Sequence, residues 1–184
     1  MSVYLRNAFR FILLVLIQVL LLNKISLFWW TSPGGIPPYV PYIYPLFILL
    51  LPFATPVWFL LVAGFMMGVT VDTFMNTGGM HAAACVLMAF ARTIVLESLL
   101  PKRLDEFKTM SPNVKSMGWT PFMTYAAILL TVHHIYFFVL EIWGFQSIGY
   151  MFIKVLISLI TSLIFVALYS LLFSSSINTI YYDK

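Results

Sequence analysis

Residues 64–92 read GFMMGVTVDTFMNTGGMHAAACVLMAFAR, a run of apolar residues carrying an aspartate, a histidine and an arginine around a glycine-rich turn. Gly64, Gly68 and Asp72 fall at i, i+4 and i+8 and therefore share one face of a helix. Glycines at that spacing let a second backbone approach closely, which in lipid is a main source of helix association. After the Asn76–Gly79 turn the chain resumes with Ala82, Ala83 and Ala84, equally small residues. The pattern predicts a tight antiparallel pair of helices packed through Gly64, Gly68, Gly79, Ala82 and Ala83.

The composition states which solvent surrounds that pair. Of 184 residues, 62% are hydrophobic and 9% charged, against about a quarter charged in soluble domains. So little charge cannot solvate a globular surface, and the implied solvent is the hydrocarbon of a bilayer. Crossing it takes about 20 apolar residues per helix. Six segments are candidates: 8–30, 42–54, 56–75, 79–100, 121–142 and 148–173, in a single domain covering residues 1–184. The second is short and flanked by prolines. The N-terminal run, with Arg6 and Arg10 ahead of it, is too long for a signal-peptide core and reads as an uncleaved first span. The expected fold is an all-α integral membrane protein of six transmembrane helices.

Basic residues orient the bundle. Arg6 and Arg10 precede the first span, and Lys102, Arg103, Lys108 and Lys115 lie in the loop 101–118, while the segments 31–41, 75–78 and 143–147 contain no lysine or arginine. By the positive-inside rule both termini and the 101–118 loop are expected in the cytoplasm. The net charge of +4 is too scattered to imply a nucleic-acid partner. A lone cysteine, Cys85, excludes an internal disulfide and a cysteine-based metal cluster. There is no G-x-x-x-x-G-K-[ST] phosphate loop, no H-E-x-x-H and no G-x-S-x-G, so no enzyme class, cofactor or metal is implied.

Ionisable residues inside spans are costly and define candidate sites. Asp72 lies near the end of its own helix, where a carboxylate opposes the macrodipole, but close to the positive start of the next. Three roles stay open for it: a clamp on that helix start together with His81, a group reaching water, or a ligand contact. Arg92 lies too deep to bridge to Asp72 and is expected to snorkel inward, toward Glu97, or to pair at a subunit interface. His133 and His134, being adjacent, cannot chelate one metal and are expected to hydrogen-bond between helices. Lys154 is expected to snorkel outward or to meet Glu141 or Asp72. Together Asp72, His81, His133, His134, Glu141 and Lys154 suggest an outer polar cluster. The loop 31–45 holds five prolines, two glycines and Tyr39, Tyr42 and Tyr44, and reads as a stiff cap or an exposed partner surface.

The motif Gly68-x-x-x-Asp72, followed by Asn76-Thr77-Gly78-Gly79-Met80-His81-Ala82, resembles the rod-shape-determining MreD family. The Val132-His133-His134-Ile135-Tyr136 stretch gives it the flavour of the Bacteroidota branch of that family. The resemblance implies a non-enzymatic subunit of the cell-elongation complex in the inner membrane. Its implied partners are the bitopic protein MreC, the filament protein MreB, and a RodA-type glycosyltransferase with its transpeptidase. It also implies the six-helix fold of substrate-binding subunits of energy-coupling-factor transporters. The alternative is such a vitamin-binding subunit, although the first span lacks the alanine-x-x-x-alanine docking motif usual there. An intramembrane protease is unsupported, because Asp72 has no membrane aspartate to pair with.

Overall fold

The computed structural model describes residues 3–24, 40–100, 110–142 and 148–173. Among them the regular elements are all helical. Helix α1 (Val3–Leu16) continues through a π turn at Ile17–Leu21 and a 3-10 turn to Lys24. A four-residue helix, α2, spans Leu46–Leu49, and α3 (Val57–Met75) and α4 (Met80–Leu99) form the hairpin. The short α5 (Val114–Met117) leads into α6 (Trp119–Ile142), and α7 (Ile148–Phe173) completes the bundle. Five helices are long and apolar enough to cross a membrane: Leu5–Lys24, α3, α4, Trp119–Glu141 and α7. Their outward side chains, such as Phe9, Trp58, Phe65, Phe90, Leu156 and Leu171, are large and apolar. That surface suits lipid rather than water.

The helix expected over 42–54 is not there. Four prolines punctuate the segment at 41, 45, 52 and 56, and each disfavours helix in the residue before it. Between Pro45 and Pro52 only α2 fits, with Pro45 as its N-cap. Every residue from Pro41 to Leu51 is nonetheless buried. The segment threads the interior: Tyr44 meets His81 in the first turn of α4, while Leu51 meets Arg92 eleven residues further along that helix. At 1.5 Å per residue those levels are about 16 Å apart. Tyr42 and Tyr44, expected in a stiff cap or an exposed partner surface, are 6% and 0% exposed. Residues 25–39, and with them Tyr39 and most of the loop, lie outside the described residues, as do 101–109 and 143–147.

Helix α3 packs on α4 as the glycine spacing requires, and Gly68 is the point of closest approach. A Cβ there would stand 2.3 Å from Ala82 Cα and 2.6 Å from the His81 carbonyl. At Gly64 it would stand 3.0 Å from the Cys85 carbonyl and 3.3 Å from Ala89 Cβ. The α4 groups facing the glycines are therefore Ala82, Cys85 and Ala89. Two expected packing residues are not among them. Ala83 is only partly buried, and a Cβ at Gly79 would meet nothing within 4 Å, but the residue takes φ +93°. Gly79 serves the turn, in the left-handed region that glycine enters freely. Asn76, at φ 56°, closes α3 in the same region.

The contacts set an order of sensitivity. Gly68→Ala is expected to destabilise the protein most, by about 1–3 kcal/mol as in overpacked cores. Gly64→Ala costs less, and Met66→Leu, on the lipid face, changes little. Thermal unfolding in detergent measures the order, and equal tolerance at all three sites would remove the close-packing account.

Candidate functional site

At the hairpin tip, Asp72 caps a helix that has no cap of its own. The N-cap position of α4 is Gly79, which carries no side chain to accept from the free N–H groups behind it. Those N–H groups sit at the second and third helical positions, His81 and Ala82, where a capping side chain normally bonds. Here Asp72 reaches across from α3: the His81 N–H donates to Oδ1 at 3.1 Å and the Ala82 N–H to Oδ2 at 2.9 Å. The Thr77 hydroxyl also donates to Oδ1. The carboxylate is 7% exposed and faces the positive end of α4. Gly68, one turn earlier on the same face, is what lets α3 come close enough.

His81 lies beneath this cap and enters a second arrangement. Its Nδ1 is 2.6 Å from the Tyr44 hydroxyl, which is 2.7 Å from His133 Nε2 on α6. Tyr42 packs edge-on against His81 and His134 and meets Phe137 at 5.3 Å. The two tyrosines thus fill the space between the polar residues of the outer cluster. His134 donates from Nδ1 to the Leu130 carbonyl, an acceptor only, so its Nε2 is bare when the ring is neutral. That nitrogen accepts from the Ser162 hydroxyl at 3.2 Å, and Ser162 accepts the Tyr42 N–H at 3.1 Å. Both histidines therefore bridge elements by hydrogen bonds. Among the described residues no group of three or more His, Cys, Asp and Glu side chains is arranged to hold a metal.

Deeper in the bundle, Arg92 does not snorkel and does not approach Glu97. It is 1% exposed. Its Nε donates to the Tyr125 hydroxyl at 3.0 Å, and Nη2 donates to the carbonyls of Leu51 and Pro52. Tyr125 in turn donates to the Leu49 carbonyl at 3.1 Å. The physical reason is the interior segment. Irregular backbone is tolerated at membrane depth only where protein satisfies it. Prolines strip that segment of N–H donors, so the surplus groups are carbonyls, and a guanidinium with five N–H donors is the side chain best able to answer them.

Gln18, in the π turn that continues α1, does the same at the other end. Its Nε2 donates to the Pro41 carbonyl at 3.2 Å, and its Oε1 accepts the Ile43 N–H at 2.9 Å. Gln18, Tyr125 and Ser162 were not singled out in the sequence. A buried amide in the middle of an apolar span was the signal available for Gln18. Lys154 finds Glu141 at 2.7 Å rather than Asp72, with its ammonium 5.2 Å from the Phe138 ring. Asp72, His81, His133 and His134 are thus gathered around the two tyrosines, Lys154 and Glu141 form a separate pair, and Arg92 belongs to the deeper level.

Compared with protein-family models, with curated proteins and with solved structures, the chain matches none.

Removing the deep donors tests this reading. Arg92→Met is expected to lose about 1–3 kcal/mol for each carbonyl left without a donor. Arg92→Lys retains part of the contact and loses less, and Glu97→Gln, on an exposed residue, loses nothing measurable. An Arg92→Met protein that melts with the wild type would show that the interior segment does not need its donor.

Proposed function

We propose that the chain is a non-enzymatic, multi-pass subunit of the bacterial cytoplasmic membrane that organises cell elongation as MreD-family proteins do. In this reading it docks an MreC-like bitopic protein and, through it, the MreB filament and a RodA-type glycosyltransferase with its transpeptidase. The interior segment counts as a sixth, irregular crossing. In this reading it returns the chain to the side of Arg6 and Arg10, which the positive-inside rule assigns, with both termini, to the cytoplasm. The fold would then be the six-element bundle shared with substrate-binding subunits of energy-coupling-factor transporters.

One observation carries the choice between scaffold and ligand-binding subunit. Both oxygens of Asp72 already accept hydrogen bonds from the start of α4. A carboxylate so engaged, and 7% exposed, clamps the hairpin and has little capacity left for a substrate. The resulting stiff tip is what a docking partner needs, since a preformed surface loses little entropy on binding.

Two experiments test the reading. Cysteines placed at Gly35 and Phe145 are expected to label from outside in intact cells, and one at Lys115 only after permeabilisation. Labelling at Lys115 from outside would end the topology. Asp72→Asn, which keeps the shape and one acceptor, is expected to weaken pull-down of the MreC-like partner modestly. Asp72→Leu should weaken it several-fold more, with insertion unchanged. If Asp72→Leu leaves the partner bound but abolishes retention of a vitamin-sized ligand, the transporter reading replaces this one.

A further inference from the structure

The Tyr44 hydroxyl sits between two imidazoles, 2.6 Å from His81 Nδ1 and 2.7 Å from His133 Nε2. All three side chains have 0% exposure. The far nitrogens, His81 Nε2 and His133 Nδ1, are buried without a hydrogen-bond partner among the described residues. A hydroxyl carries one proton, and a neutral imidazole carries one. Two short contacts on one hydroxyl therefore fix the rings together. If Tyr44 donates to His81, then His133 must donate from Nε2, and both rings are Nε2–H. If Tyr44 donates to His133, then His81 must donate from Nδ1, and both rings are Nδ1–H. A mixed pair would leave two lone pairs facing one hydroxyl with a single proton, or two N–H groups on its oxygen with the Tyr44 proton left to the weak sulfur acceptor of Cys85.

We propose that His81, Tyr44 and His133 form one buried site for a single exchangeable proton, shared between α4 and α6 through the interior segment. Starting with both rings Nε2–H, an added proton goes to the bare His133 Nδ1 and makes that ring an imidazolium. Its Nε2–H then passes to the Tyr44 oxygen as the Tyr44 proton passes to His81 Nδ1. The charge now rests on His81, both hydrogen bonds persist with donor and acceptor exchanged, and no heavy atom has moved. Loss of a proton from His81 Nε2 leaves both rings neutral and Nδ1–H. A second proton breaks the scheme. Both rings would then donate to the Tyr44 oxygen, whose own proton would be left with the weak sulfur acceptor of Cys85.

The charged and titratable groups around the unit suit one positive charge. Asp72 of α3 supplies the counter-charge from the cap directly above His81. Cys85 of α4, Tyr42 of the interior segment and His134 of α6 are the other titratable neighbours. On α6 and α7, Glu141 and Lys154 neutralise each other. This site does not depend on which partner the protein docks.

The chain has three histidines, so ring-¹⁵N labelling of the full chain in lipid nanodiscs resolves the question, with His134→Asn for assignment. At neutral pH, His81 and His133 are expected to show the same tautomer, or equal fractions of the two if they exchange, while His134 stays Nδ1–H. On acidification the signals of both rings should move together over the uptake of one proton. In Tyr44→Phe they should choose tautomers and titrate separately. A wild-type protein with one ring Nε2–H and the other Nδ1–H, or with two rings titrating independently, would overturn the proposal. The wild-type comparison stands alone should Tyr44→Phe fail to fold.

Discussion

A stretch of backbone that is not helical lies buried in the middle of a chain whose solvent is lipid, and its polar groups have to be answered by side chains. Hydrocarbon offers no hydrogen bonds, and each unsatisfied N–H or C=O costs several kcal/mol there. Segment 40–53 meets that constraint from every side. Gln18 of α1 and Ser162 of α7 take the first turn, and Tyr125 of α6 and Arg92 of α4 take the last. Arg10 adds a longer contact to the Leu50 carbonyl, and the Phe53 N–H donates to Met110 ahead of α5 at 2.9 Å. The long helices are thus tied through the segment as well as to one another.

The α3–α4 hairpin is the second fixed unit, and it depends on spacing rather than on bulk. Gly68 removes a Cβ where two backbones nearly touch, and the closeness it permits places Asp72 over the uncapped start of α4. The two units meet at Arg92 as well as at His81. Its backbone N–H is held by Asp72, and its ring is held by Tyr44 of the interior segment. His81 is thus the residue that the cap and the segment share.

The hairpin was legible in the sequence because its signals are local. Glycines four apart, a carboxylate on the same face and a glycine turn need no knowledge of other helices. Arg92 was misread because its acceptors are main-chain carbonyls 40 residues away, in a segment taken for a helix whose carbonyls would already be used. Pro52 and Pro56 were read as the end of a span, and Pro41 and Pro45 as part of a loop, whereas together they leave room for the one turn of α2. With that segment taken as a cap or partner surface and a short span, Tyr42 and Tyr44 were not placed in the core and Gln18 and Ser162 had nothing to bond. One wrong element thus hid four partners. His133 and His134 fared better, because adjacent positions on a helix already forbid joint chelation.

Amide hydrogen exchange of the full chain in lipid nanodiscs tests the central claim most directly. If side chains from α1, α4, α6 and α7 satisfy the interior segment, the amides of Tyr42, Ile43 and Leu46–Leu50 exchange as slowly as those in the middle of α3 and α4. Gln18→Leu should then speed exchange at Ile43 while leaving the helix centres protected. Rapid exchange across 42–50 in the wild type, beside protected helices, would contradict the account.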